Sequence, residues 1–148
     1  MAERSRFWER IKPLSERARR DREHFERPDD PPDEQQALEY LREGVGPAIS
    51  VYVEGRTGGD RAPFTDVELS LLERSLNNWL SLYAQCYGED LDADFSIREA
   101  ATVLVDTRNV VDTARVLTHV PERGVRDPRP GGRDGQSEDG DSDGRDSA

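Results

Sequence analysis

The stretch TDVELSLLERSLNNWLSLYAQCYG, residues 65–88, decides the fold. Thr65 and Glu68 form a T-x-x-E capping box, and Phe64 and Leu69 stand where a hydrophobic staple would close the helix start. Leu69, Leu72, Leu76, Trp79, Tyr83 and Cys86 follow at steps of three and four, the period of one helical face. Gly88 supplies the left-handed residue that ends a helix. Leu71, Leu80, Leu82 and Tyr87 widen the apolar face, so this helix is expected at the centre of the molecule.

The same devices recur on both sides. Downstream, Ser96 and Glu99 cap a helix preceded by Phe95. Ile97, Ala100, Leu104, Val111 and Ala114 line one face, with Val103, Val110 and Leu117 beside it. The pattern predicts one helix over 97–119, ending before Pro121. Upstream, Asp33 caps a segment whose stripe is Leu38, Leu41, Val45, Ala48 and Tyr52. It runs through Gly44, Gly46 and Pro47, so a helix over 33–54 kinked near Pro47 is expected, with a loop from Gly55 to Gly59. A strand over residues 49–54 is the alternative, since β-branched residues favour it. No second strand candidate exists to satisfy its ladder groups.

Phe7, Ile11, Leu14, Ala18 and Phe25 mark a first helix over 3–26, bent at Pro13. Pro28 to Pro32 is a short stiff linker. Four segments of about 22–24 residues each span roughly 33–36 Å. The expected fold is all-α, an antiparallel bundle of three to four helices with a disordered acidic C-terminal tail.

Charge divides the 148-residue chain, whose net charge is -11. Residues 1–27 are net basic and form a basic amphipathic helix. Residues 33–120 form an acidic helical core, which completes a helical domain over 1–120. Residues 121–148 hold one large aliphatic side chain, Val125, and cannot offset the entropy of ordering. Among the 21 basic residues only Lys12 is lysine. Carboxylates in excess hold water and cations in concentrated salt, and the near absence of lysine stems limits apolar surface. The composition predicts a halophilic, cytoplasmic protein, with an ordinary acidic protein as the alternative. No apolar run approaches a membrane span, and no basic-then-apolar signal segment opens the chain.

Motifs of known chemistry match poorly. Asp90-Leu-Asp92-Ala-Asp94 opens like a calcium loop, but Phe95 and Ala101 stand where that loop needs Gly and Glu. Asp90, Asp92 and Asp94 are therefore weak metal candidates, and a plain acidic loop feeding a helix start is favoured. Asp21 and His24 resemble half of a di-metal bundle site whose other half is missing. Cys86 falls on the apolar stripe and reads as a core residue. The pattern of a phosphate loop, a nucleophile elbow or a dinucleotide fold does not occur. No catalytic residue or cofactor is expected.

Arg6, Arg10, Arg17, Arg20 and Arg27 could track phosphates along the first helix. Acidic residues interleave with them, the pattern of an ion-paired helix, so docking on the acidic core or on an acidic partner is favoured over nucleic acid. Two polar groups are binding candidates: Asn78 with Trp79, and Arg108, Asn109 and Asp112. The second group allows surface pairing of Arg108 with Asp112, a register role, or a partner groove.

The run Asn78-Trp79-Leu80, with Tyr83 to Gly88, Asp94-Phe95, Arg98 to Ala101, Leu104 to Asn109 and Asp112 to Ala114, resembles a family of small haloarchaeal proteins of unknown function. The resemblance covers roughly residues 15–122 and supports the halophile reading. It implies no activity, cofactor or site residue. The leading expectation is a non-enzymatic adaptor or homo-oligomer acting on a protein partner or on itself, away from membranes. A small metal- or thiol-dependent enzyme and a nucleic-acid regulator using the basic helix are the alternatives.

Overall fold

The computed structural model describes residues 4–59 and 61–121. Among them there are helices and no strands: α1 (Trp8–His24), α2 (Glu34–Tyr40), a π-helical segment (Leu41–Val45), α3 (Gly46–Thr57), α4 (Asp66–Cys86), α5 (Ile97–Thr107) and α6 (Val110–Thr118). All lie in the first of two units, Met1–Thr118 and His119–Ala148. The tail expected over 121–148 falls, except for Pro121, outside the described residues.

Helix α4 packs against every other helical element, the central position its wide apolar face implied. Its start is fixed by the full capping box. The Glu68 backbone N–H donates to Thr65 Oγ1 (3.1 Å), and the Thr65 N–H donates to Glu68 Oε1 (2.9 Å). Its end is a Schellman turn. Gly88, at φ +81°, donates to the Gln85 carbonyl, and Glu89 donates to that of Ala84.

Glu68 does more than cap. It is 1 % exposed, and its second oxygen, Oε2, accepts the Ser5 backbone N–H at 2.9 Å. One carboxylate thus closes α4 and anchors the chain just before α1. Burial alone would raise its pKa, but the amides of Thr65 and Ser5 outweigh burial and hold the carboxyl below its ordinary value.

The helix over 33–54 forms, and the strand alternative does not. The break near Pro47 takes the form of the π segment, where the Gly46 N–H reaches back five residues to the Leu41 carbonyl. Proline has no N–H to donate, and its ring crowds the carbonyl four residues earlier. The wider π turn relieves that crowding. It also lays Gly44 against the indole of Trp79: a Cβ on Gly44 would stand 2.5 Å from Trp79 Cε2. Gly55, expected in the loop, lies within α3, and the Phe64 ring occupies the place where a side chain would stand. Phe64 stacks on Tyr52 (5.9 Å between centroids, 12°) and meets Phe7 at 5.1 Å.

Two further boundaries differ from the sequence reading. Helix α1 runs unbroken through Pro13 and starts at Trp8, later than expected. The single helix expected over 97–119 is two helices. Arg108 adopts a left-handed conformation at φ 58°. Asn109 Oδ1 then accepts the N–H groups of Val111 (2.8 Å) and Asp112 (3.0 Å), capping α6.

Two outcomes follow. Gly44→Ala forces Trp79 or the π turn to move, at a cost of about 1–3 kcal/mol, read as a lowered urea midpoint. Glu68 has a folded pKa below its unfolded value, so its stabilisation is complete above the unfolded value and is lost as pH falls through the folded one. The acid limb of a stability-versus-pH curve should therefore flatten in Glu68→Gln.

Candidate functional site

The polar residues of α4 form a second stripe, opposite in purpose to the apolar one. Glu73, Asn77 and Ser81 are four residues apart, so they stack along one side of the helix. Each binds the backbone of the extended chain that precedes α5. Ser81 Oγ accepts the Ala93 N–H (3.0 Å). Asn77 accepts the Phe95 N–H (2.8 Å) and donates to the Phe95 carbonyl (2.9 Å). Glu73 Oε2 accepts the Ile97 N–H (3.0 Å). Four helical residues rise about 6 Å, and two extended residues rise about 6.6 Å. The two spacings nearly match, so a helix can carry an extended segment on every fourth side chain.

That ladder explains the aspartates. With residues 93, 95 and 97 bonded to α4, the alternation of an extended chain leaves Asp90, Asp92 and Asp94 exposed, with Leu91, Ala93 and Phe95 turned partly inward. Asp90 takes an ion pair from Arg27. Among the described residues no three His, Cys, Asp or Glu side chains gather in a way that could hold a metal ion.

Asn78 and Trp79 lie next to each other in sequence and serve different ends. Asn78 Oδ1 accepts from Arg22 Nη1 (2.6 Å) at a polar cleft of about 300 Å³, shared with Ser81, Gln85, Asp90 and Asp92. Trp79 is fully buried and donates its indole N–H to Asp21 Oδ2 (2.9 Å). Asp21 is thereby a structural acceptor, and His24 is exposed. Arg108, Asn109 and Asp112 sit at the α5–α6 turn, where the Thr107 and Thr113 hydroxyls lie 2.8 Å apart. The expected Arg108–Asp112 pair is not among the ion pairs of the described residues. Nor does any hydrogen bond between described residues join this group to Asn78 or Trp79.

The N-terminal arginines are largely used within the chain. Arg10 forms a two-point pair with Glu54, both bonds 2.7 Å, and holds that carboxyl below its ordinary value. Arg17 meets Glu43 at 3.4 Å. With Arg22 on Asn78 and Arg27 on Asp90, the basic segment docks on its own acidic core. Arg4 instead covers the half-buried Trp8, 4.8 Å from the ring centroid.

Cys86 is fully buried, and burial with nearby Asp33 pushes its thiol up to about 12. At neutral pH it is a protonated core group and a poor nucleophile. A further concavity was not singled out in the sequence. Between α3 and α5 lies a groove of about 340 Å³ lined by Tyr52, Val53, Arg56, Arg98, Ala101 and Val105. Val105 is 62 % exposed. Two helices packed side by side leave such a trough, and no local pattern announces it.

Helices around one central helix, an extended segment pinned to its polar stripe, and an open apolar groove define a helical domain. The chain belongs to the family DUF8055, a domain of unknown function, whose model matches residues 5–122. The match begins at Ser5, the residue that Glu68 anchors. No curated protein and no solved structure matches the chain.

The ladder separates two neighbouring asparagines. Asn77→Ala loses three hydrogen bonds at a partly buried site, the two to Phe95 and one donated to the Glu73 carbonyl, and should cost about 2–3 kcal/mol. Asn78→Ala loses one exposed bond and should cost under about 1 kcal/mol. Paired denaturant titrations measure the difference.

Proposed function

We propose that this chain is a non-enzymatic interaction protein, an adaptor whose α3–α5 groove receives a protein partner. The carrying observation is Val105, a large apolar side chain 62 % exposed beside the groove. Valine at that exposure, next to half-buried Val53 and buried Ala101, leaves a contiguous apolar surface that association would remove from water.

The chemistry of the remaining groups supports this over the alternatives. A thiol-dependent enzyme needs a thiolate, and Cys86 is held protonated. A nucleic-acid regulator would use the arginines of the N-terminal segment, of which Arg10, Arg17, Arg22 and Arg27 are engaged within the chain while Arg19 and Arg20 stay exposed. We read the helices as an antiparallel bundle built around α4, working in the cytoplasm of a salt-adapted, haloarchaeal cell. A net charge of -11 and twenty arginines against one lysine are consistent with that setting. No helix among the described residues is long and apolar enough to cross a membrane.

A photo-crosslinking residue at position 105 tests the reading in native cells kept at high KCl. The expected result is one crosslinked polypeptide at fixed stoichiometry, lost when the crosslinker is moved to an exposed position on the opposite side of α5. Recovery of the chain without any polypeptide adduct at position 105 would overturn it.

A further inference from the structure

We infer that the α3–α5 groove is shaped for an acidic amphipathic helix of a partner protein, with one apolar anchor seated on Val53, Ala101 and Val105 and carboxylates facing Arg56 and Arg98. The inference rests on the interaction reading above and adds the class of partner.

The charge pattern points to the sign of that partner. The chain is strongly acidic, and four arginines of its N-terminal segment are engaged within it: Arg10, Arg17 and Arg27 with carboxylates, and Arg22 with an amide. Other arginines, Arg19, Arg20, Arg42 and Arg74 among them, are exposed too, but Arg56 and Arg98 are brought together by one groove. Both are exposed, both line the groove, and neither side chain has an ion-pair or hydrogen-bond partner among the described residues. The one acidic residue lining the groove is Asp106. An acidic protein therefore leaves a net positive patch at this apolar concavity.

Arg98 carries the stronger argument of the two. Arg56 lies in the last turn of α3, where the helix dipole favours a cation. Its presence would follow from that alone. Arg98 lies in the first turn of α5, where the dipole disfavours a cation. Local helix physics does not account for it, and a residue placed against local preference marks a constraint from elsewhere.

The shape points to a helix. The trough runs between two helices, the geometry that accepts the apolar face of a third. Among the described residues there is no sheet edge for an extended peptide to join. A volume of about 340 Å³ is near the small end for ligand pockets, about 300–1,000 Å³, and suits an anchor side chain better than a large cofactor. In concentrated salt the apolar anchor would supply most of the affinity. The arginines, screened but close to the partner at contact, would set the preference for acidic sequences.

The test uses the full chain, labelled with ¹⁵N, and two synthetic amphipathic helices. One carries leucine and phenylalanine on one face and glutamate on the other. Its twin replaces every glutamate with lysine. The expected result is a set of shifts at Val53, Ala101 and Val105, with the glutamate helix bound at least about tenfold tighter than its twin. The paired substitutions Arg56→Glu and Arg98→Glu should reverse that preference. Arg56→Lys with Arg98→Lys should keep it, and Val105→Asp should weaken both helices. Circular dichroism of each variant separates lost binding from lost folding, and the lysine pair serves as the test if the glutamate pair unfolds. Equal binding of the two helices, no binding, preference for the lysine helix, or shifts elsewhere would overturn the inference. So would concentration-dependent shifts at the same residues without peptide, which would make a second copy the occupant. A polypeptide crosslinked at position 105 together with failure of the glutamate helix would sink this inference alone and leave the interaction reading standing.

Discussion

The contact between Trp79 and Gly44 is the constraint around which the helices are arranged. The indole is the largest fully buried side chain, and it can be so only because the chain beside it has no Cβ. Gly44 reaches that position inside a π turn, and the turn sits where Pro47 could not have continued an ordinary helical bond. The indole N–H is a donor that burial would leave unsatisfied, and Asp21 of α1 accepts it. One side chain on α4 thus sets the approach of the π segment and the docking of α1. A glycine in a helix normally weakens it; here the loss is offset by the close packing that it permits.

Helix α4 works as a spine because its two long stripes do different things. The apolar stripe buries Leu72, Leu76, Trp79, Tyr83 and Cys86. The polar stripe of Glu73, Asn77 and Ser81 satisfies the backbone of the chain leading to α5. An extended segment outside a sheet would otherwise leave its amides to solvent or buried without partners. The same segment shows how a motif can mislead: the D-x-D-x-D spacing is the signature of alternate residues turned to solvent as much as of a metal loop.

The chain spends its charge inward. Its basic N-terminal segment is held to the acidic core by exposed pairs, each worth roughly 0.2–1 kcal/mol at most. A much stronger single fixture is Glu68, buried and bonded on both oxygens. Between α3 and α5 lies an apolar trough that two arginines, Arg56 and Arg98, also line.

The sequence by itself determined the helical class, the central place of residues 66–86 and most helix ends. Those features are local: Thr65 with Glu68, Ser96 with Glu99, Asp33 with the Gln36 amide, and Gly88 each act within a few residues of themselves. The division of 97–119 was also written locally, in Asn109 as a cap, but the apolar period continued across it and masked the signal. Tertiary structure alone decided the rest. That Asn77 and not Asn78 pins the chain before α5, that Phe64 packs on Gly55 and Tyr52, that Glu68 reaches Ser5, and that α3 and α5 leave a groove all depend on residues far apart in sequence. A periodic pattern says which face of a helix is apolar. It does not say which glycine a ring will rest against, or which gap two helices will leave open, because those follow from side-chain volumes meeting across elements.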